Sequence, residues 1–189
     1  MAVFIAANAV AGPLGLNKGM TLEELKKQGA FSPVGQQYVY TSKTLASGHT
    51  DFDLYTVILT PEQGLCKIQA SSKEIDTSSF GTELESKYRR LIDAMSEKYG
   101  PPGKNFDFLS AGSLWEEPQY WMMALLKKER TLSAFWSAPV NNNLPDSIQS
   151  ITIESYALSG STGYIRLSYE FDNIDACIKV VKSKENSTL

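Results

Sequence analysis

Histidine occurs once in the 189 residues, at His49, and cysteine only twice, at Cys66 and Cys177. These scarcities remove whole classes of chemistry. Ser-His-Asp or Cys-His catalysis would have to pass through His49, and a multi-histidine metal site has no residues to draw on. Cys66 and Cys177 are too far apart for a Cys-x-x-Cys pair, so neither a zinc site nor a thioredoxin-type dithiol is supported. There is no Gly-x-Ser-x-Gly elbow, no His-Glu-x-x-His and no Gly-x-x-x-x-Gly-Lys. A basic excess is missing too: 18 Lys and Arg stand against 21 Asp and Glu, a net charge of −3. That balance argues against a dedicated nucleic-acid binder, which needs cations to neutralise phosphates. No apolar run approaches the ~20 residues that span a bilayer. Nothing in the sequence calls for a cofactor or a metal.

The composition that remains is that of a folded domain. Apolar residues make up 42% and aromatics 11%, and a chain of this length buries ~70% of its unfolded surface. Residues 1–11 carry no charge, are mostly small and apolar, and end in Ala9-x-Ala11 before Gly12-Pro13. This is the pattern of a signal-peptide remnant, although no Lys or Arg precedes Lys18 to supply a basic start. Export to the periplasm or medium is the expectation; an apolar N-terminal strand in a cytoplasmic protein is the alternative. In an oxidising compartment Cys66 and Cys177 are a disulfide candidate. In a reducing one they are two buried thiols.

The periodicities predict an α+β fold. Thr21-Leu-Glu-Glu24 is a capping box opening a short helix to residue 28, with Gly29 after it. Strands are expected over 36–41, 52–59 and 65–70, the last two joined by the turn Pro61-Glu-Gln-Gly64. In that hairpin Cys66, Ile68 and Ala70 alternate with Lys67 and Gln69, which puts Cys66 on the core side. Leu84, Tyr88, Leu91, Ile92, Met95 and Tyr99 recur at helical spacing until Gly100-Pro-Pro-Gly103. The second half starts with residues 106–113 and an aromatic block, and offers a helix from Pro118 to Lys128 and strands over 132–136, 151–158 and 164–171. The polar end from Lys179 is expected to fray, with residues 183–189 as a tail. The helix-plus-three-strand order occurs twice. The chain therefore divides into pseudo-halves 12–103 and 104–182 of one domain, or forms one continuous antiparallel sheet with helices packed on one face.

Two features invite a functional reading. His49 lies in a polar Gly-His-Thr loop, where a histidine is most simply solvated. Glu116 and Glu117 lie among Trp115, Tyr120 and Trp121, a carboxylate pair beside aromatic platforms of the kind that sugar-handling sites use. Acids at a helix start are also explained by the helix dipole, and the tryptophans by packing. Asn186-Ser-Thr188 matches a glycosylation acceptor in a polar tail.

The run Gly15-Leu-Asn-Lys-Gly-Met-Thr-Leu-Glu-Glu-Leu25 resembles the opening of a group of small exported bacterial proteins without an assigned function. Gly64-Leu-Cys-Lys-Ile68, Trp121-Met-Met-Ala-Leu-Leu126 and Leu167-Ser-Tyr-Glu-Phe-Asp-Asn173 look like the same group. Gly19-Met-Thr21 with its helix is also similar to modules of β-barrel assembly accessory lipoproteins and β-lactamase inhibitor proteins, which are non-enzymatic α+β binders. This chain departs from the lipoproteins in having no cysteine near Ala11, and it lacks their Leu-Leu-Gly helix ending. The resemblance implies a periplasmic protein-binding, accessory or inhibitor-type module; Trp115, Tyr120 or Trp121, if exposed, are its natural anchors, since Trp and Tyr dominate interface hot spots. The alternative is an enzyme or a carbohydrate or small-ligand binder using Trp115, Glu116, Glu117, Tyr120 and Trp121.

Overall fold

A computed structural model of the chain describes residues 12–186 apart from 139, 141–143 and 146, with residues 184–186 described by backbone alone. The signal-like segment 1–11, and Ser187 and Thr188 of the acceptor triplet, lie outside the described residues. In chain order the elements are α1 (Leu22–Gln28), β1 (Ser32–Pro33), β2 (Val39–Ser42), β3 (Phe52–Thr60), β4 (Gly64–Ser72) and β5 (Ile75–Asp76). Then follow α2 (Thr82–Tyr99), β6 (Lys104–Leu109), α3 (Trp121–Leu126), β7 (Arg130–Ser137), β8 (Ile148–Ala157), β9 (Thr162–Phe171) and α4 (Ile174–Asn186). The fold is α+β. No helix among the described residues is long and apolar enough to cross a membrane.

Local chemistry explains most of these boundaries. The capping box forms in full: Thr21 Oγ1 accepts the Glu24 N–H at 3.3 Å, and the Glu24 carboxylate accepts the Thr21 N–H at 2.9 Å. Gly64 takes a φ of 65°, which lets the turn after Pro61 deliver the chain into β4. Three expectations are corrected. The strand expected over 36–41 is β2 and begins at Val39, because Gln36 to Val39 closes a tight turn that holds Tyr38 at a φ of 67°. The strand β6 at Lys104–Leu109 has no counterpart among the expected strands, and it stops where Ser113 N–H turns back to Ser110 O and Gly112 has a φ of 77°. The helix expected over 118–128 is a 3-10 turn at Pro118–Tyr120 followed by α3, and Lys128 ends it with a φ of 60°. The polar end is helical through Asn186, because Ile174 and Cys177 lie buried one turn apart and anchor α4.

The strands form one antiparallel sheet in the order β1-β2-β3-β4-β9-β8-β7-β6, with β5 paired to β9 beside β4. Pairing of β4 with β9, from Lys67 opposite Glu170 to Ser71 opposite Arg166, joins the two halves of the chain into a continuous sheet across the Gly100-Pro-Pro-Gly103 break. Alternation decides what is buried. Val57, Ile68, Tyr169, Ile151 and Trp136 stand on one face, where Leu25 of α1, Leu84, Tyr88 and Met95 of α2, and Met122 and Leu125 of α3 close the main core. The expectation of helices on one face describes α1, α2 and α3.

A β-bulge separates α4 from them. Ile58 faces Lys67 but Leu59 faces Leu65, so Cys66 is the extra residue. Leu65 stays in the main core, while Cys66 joins Ile174 and Cys177 in a second cluster. Thr60, which alternates with Val57 and Leu59, lies 3.6 Å from Cys177 Sγ. The fourth helix thus covers the opposite face at β3 and β4, and a disulfide between Cys66 and Cys177 ties it there.

Candidate functional site

The far side of the sheet ends in a free edge. β6 pairs only with β7, so one side of Lys104–Leu109 has no strand beside it among the described residues. Side chains on the helix-covered face hold β6 in place, although Asn105 and Asp107 are themselves exposed. Tyr88 OH donates to Asn105 Oδ1 at 3.2 Å. Arg130 Nη1 lies 2.7 Å from Asp107 Oδ1, and Arg89 Nη2 is 3.8 Å from the other oxygen. Burial, reinforced by the Asp107 charge, pushes the Tyr88 phenol up from its ordinary value and keeps it a donor.

The alternate positions face outward. Phe106 is 38% exposed and Phe108 48%. The Phe106 ring meets Phe108 edge-on at 6.2 Å and Phe135 of β7 at 5.8 Å. This aromatic row was not among the expected site residues. Its signal was present in the alternation Lys104-Asn-Phe-Asp-Phe108, in which either face of the strand can be the buried one.

The predicted residues follow directly in the chain. Leu109 leads into a loop pinned at Ser113, whose hydroxyl donates to Glu129 and accepts the Trp115 N–H at 3.1 Å. Half-buried Trp115 and exposed Tyr120 make an edge-to-face pair with centroids 5.6 Å apart. Trp121 points elsewhere. It packs on the main core with the Arg130 guanidinium 5.4 Å above its ring and Gly81 against its edge. The structure thus pairs Trp115 with Tyr120 and assigns Trp121 to support.

Glu116 and Glu117 are both exposed in the loop before the 3-10 turn, and the Glu117 carbonyl accepts the Tyr120 N–H at 2.9 Å. Neither lines any of five surface cavities of about 210 to 360 Å³ found among the described residues. Those residues also hold no group of three or more His, Cys, Asp or Glu placed to bind a metal ion. Chemically, the arrangement offers a rigid strand edge with aromatic side chains and a polar rim. Such a surface supplies large contact area with little conformational entropy to lose.

No protein-family model, curated protein or solved structure matches the chain.

Proposed function

We propose that this protein acts by binding another protein, as an exported accessory or inhibitor-type module, and that the partner docks on the β6 edge. One observation carries the reading: Phe106 and Phe108 stand exposed on an unpaired edge strand whose helix-covered face is fixed by Tyr88, Arg89 and Arg130. An exposed edge invites association unless it is blunted, and on the face that bears Phe106 and Phe108 this one carries a single charge, Lys104, with the exposed Asp107 on the other face held by Arg130. An incoming strand would gain main-chain hydrogen bonds along β6, and the phenylalanines would supply side-chain specificity. Trp115 and Tyr120, on the loop that continues β6, extend the same aromatic margin.

Export belongs to this proposal. The Cys66–Cys177 disulfide suits an oxidising compartment, and the signal-like start and the resemblance to small exported proteins agree with it. A partner outside the cytoplasm follows.

The test is co-purification from an envelope extract with the full chain and with Phe106→Ser and Phe108→Ser. The proposal expects one partner recovered near stoichiometry with the unsubstituted protein and lost with either variant, while thermal unfolding of the variants stays close to that of the parent. Equal recovery with all three proteins, or no specific partner with any, would overturn it.

A further inference from the structure

A second site lies on the other side of α2, away from β6. Lys87, Arg90, Leu91 and Ala94 of α2 form one wall of a cavity of about 210 Å³, and His49, Asp51 and Phe52 form the opposite rim. We propose that this cleft binds a small organic monoanion, a carboxylate with a compact apolar body, held at its charged end by Arg90.

Charge counting leads to a monoanion. Lys87 Nζ lies 3.0 Å from Asp51 Oδ1, so this pair is internally neutral. The Lys87 hydrogen bond also holds the Asp51 carboxyl below the ordinary carboxylate range, which keeps the neutralising charge in place. Arg90 follows Lys87 by three residues on the same helix face, and its guanidinium has no hydrogen bond or ion pair among the described residues. Its charge also acts on Asp51 at longer range, but Lys87 and Arg90 against the single Asp51 carboxylate leave one net positive charge at the mouth of the cavity, in a protein of net charge −3. The planar fork of Arg90 matches the two oxygens of a carboxylate. A dianion such as phosphate would bring a second charge toward Asp51 with no cation left to meet it.

The other groups define the rest of the ligand. His49 Nδ1 is taken up by Asp51, 3.2 Å from its backbone nitrogen and 3.8 Å from its carboxylate, which leaves Nε2 as the ring atom that can meet a ligand. Phe52, Leu91 and Ile165 present apolar surface, so the anion needs an apolar body to displace water from them. Most pockets share this design, with a few convergent polar groups around an apolar floor.

Phenylacetate is a suitable probe, with 2-phenylethanol as its neutral analogue and inorganic phosphate as an anion without a body. Each is titrated into the full-length, isotopically labelled protein and followed by amide chemical shifts. The proposal expects phenylacetate to shift residues 49–52 and 87–94. Removing one charged hydrogen-bond partner should weaken binding at least about tenfold, both in Arg90→Ala and with 2-phenylethanol. Ala94→Leu, a substitution at an exposed helix position that fills the cavity, should also abolish the shifts. Three results would overturn the proposal: no shifts with phenylacetate at millimolar concentration, equal binding by Arg90→Ala, or phosphate acting as strongly as phenylacetate.

Discussion

Gly81 and Trp121 occupy each other's space: a Cβ on Gly81 would fall against the Trp121 ring, and Gly81 holds a φ of 72° at the start of α2. Both facts oppose a side chain at this position. Left-handed backbone costs a non-glycine residue about 1–2 kcal/mol, and overpacking adds about 1–3. Gly81→Ala is therefore expected to destabilise the protein by about 2–5 kcal/mol in urea unfolding. An unchanged midpoint would show that the ring moves freely.

The same contact separates the aromatic residues of the 115–121 segment by role. Trp121→Ala should lower stability by about 2–4 kcal/mol, as truncation of a largely packed aromatic does. Tyr120, 39% exposed, should tolerate Ala within about 1 kcal/mol, losing mainly its edge-to-face contact with Trp115. Paired denaturation curves check this ordering. A reversal would place Trp121, not Tyr120, on the accessible surface.

Cys66 and Cys177 close a loop with a sequence separation of 111 residues and anchor the one helix that packs outside the main core. Chain entropy for a loop of this size corresponds to about 4–5 kcal/mol. Cys177→Ser, or reduction, should lower unfolding stability by an amount of that order. It should also speed hydrogen exchange in α4 before the sheet is affected, because α4 shares few buried side chains with the rest of the molecule. Uniform acceleration across the sheet would contradict this local attachment.

Lys67 and Glu170 face each other across β4 and β9 with Nζ 2.7 Å from Oε1, and Ser150 donates to the other carboxylate oxygen at 3.0 Å. Burial raises the Glu170 pKa, but these bonds outweigh it and hold the carboxyl below its ordinary value near 4.5. The sign follows from that depression. The unfolded chain binds this proton at higher pH than the folded one, so the contribution is complete above the unfolded value and is lost as pH falls through the folded one. In urea titrations between pH 7 and pH 3, Glu170→Gln should therefore lose less stability on acidification than the parent. Parallel losses would mean that the pair contributes nothing to acid sensitivity.

Much of this architecture was legible in the residues. The Thr21–Glu24 box, the periodicity from Leu84 to Tyr99 and the two hairpins follow from local rules, and the structure contains all of them. The role of Cys66 was only half legible. Alternation with Ile68 predicts the correct burial, but the bulge that moves it from the main core toward α4 depends on how β3 and β4 pair. The position of β6 at the edge was not readable, because Phe106 and Phe108 look like buried strand residues until the strand order leaves β6 with a strand on one side only among the described residues. The cleft at Arg90 draws on residues 49–52 and 87–94, two stretches that only tertiary packing brings together.

The claim that β6 is a docking edge is tested most directly by site-specific photo-crosslinking in cells. A photoreactive phenylalanine analogue is placed at Phe108 and, for comparison, at Leu158, which is 52% exposed in the β8–β9 hairpin. The account predicts a discrete adduct with one partner protein from position 108 and none from position 158. No adduct at 108, or the same adducts from both positions, would contradict it.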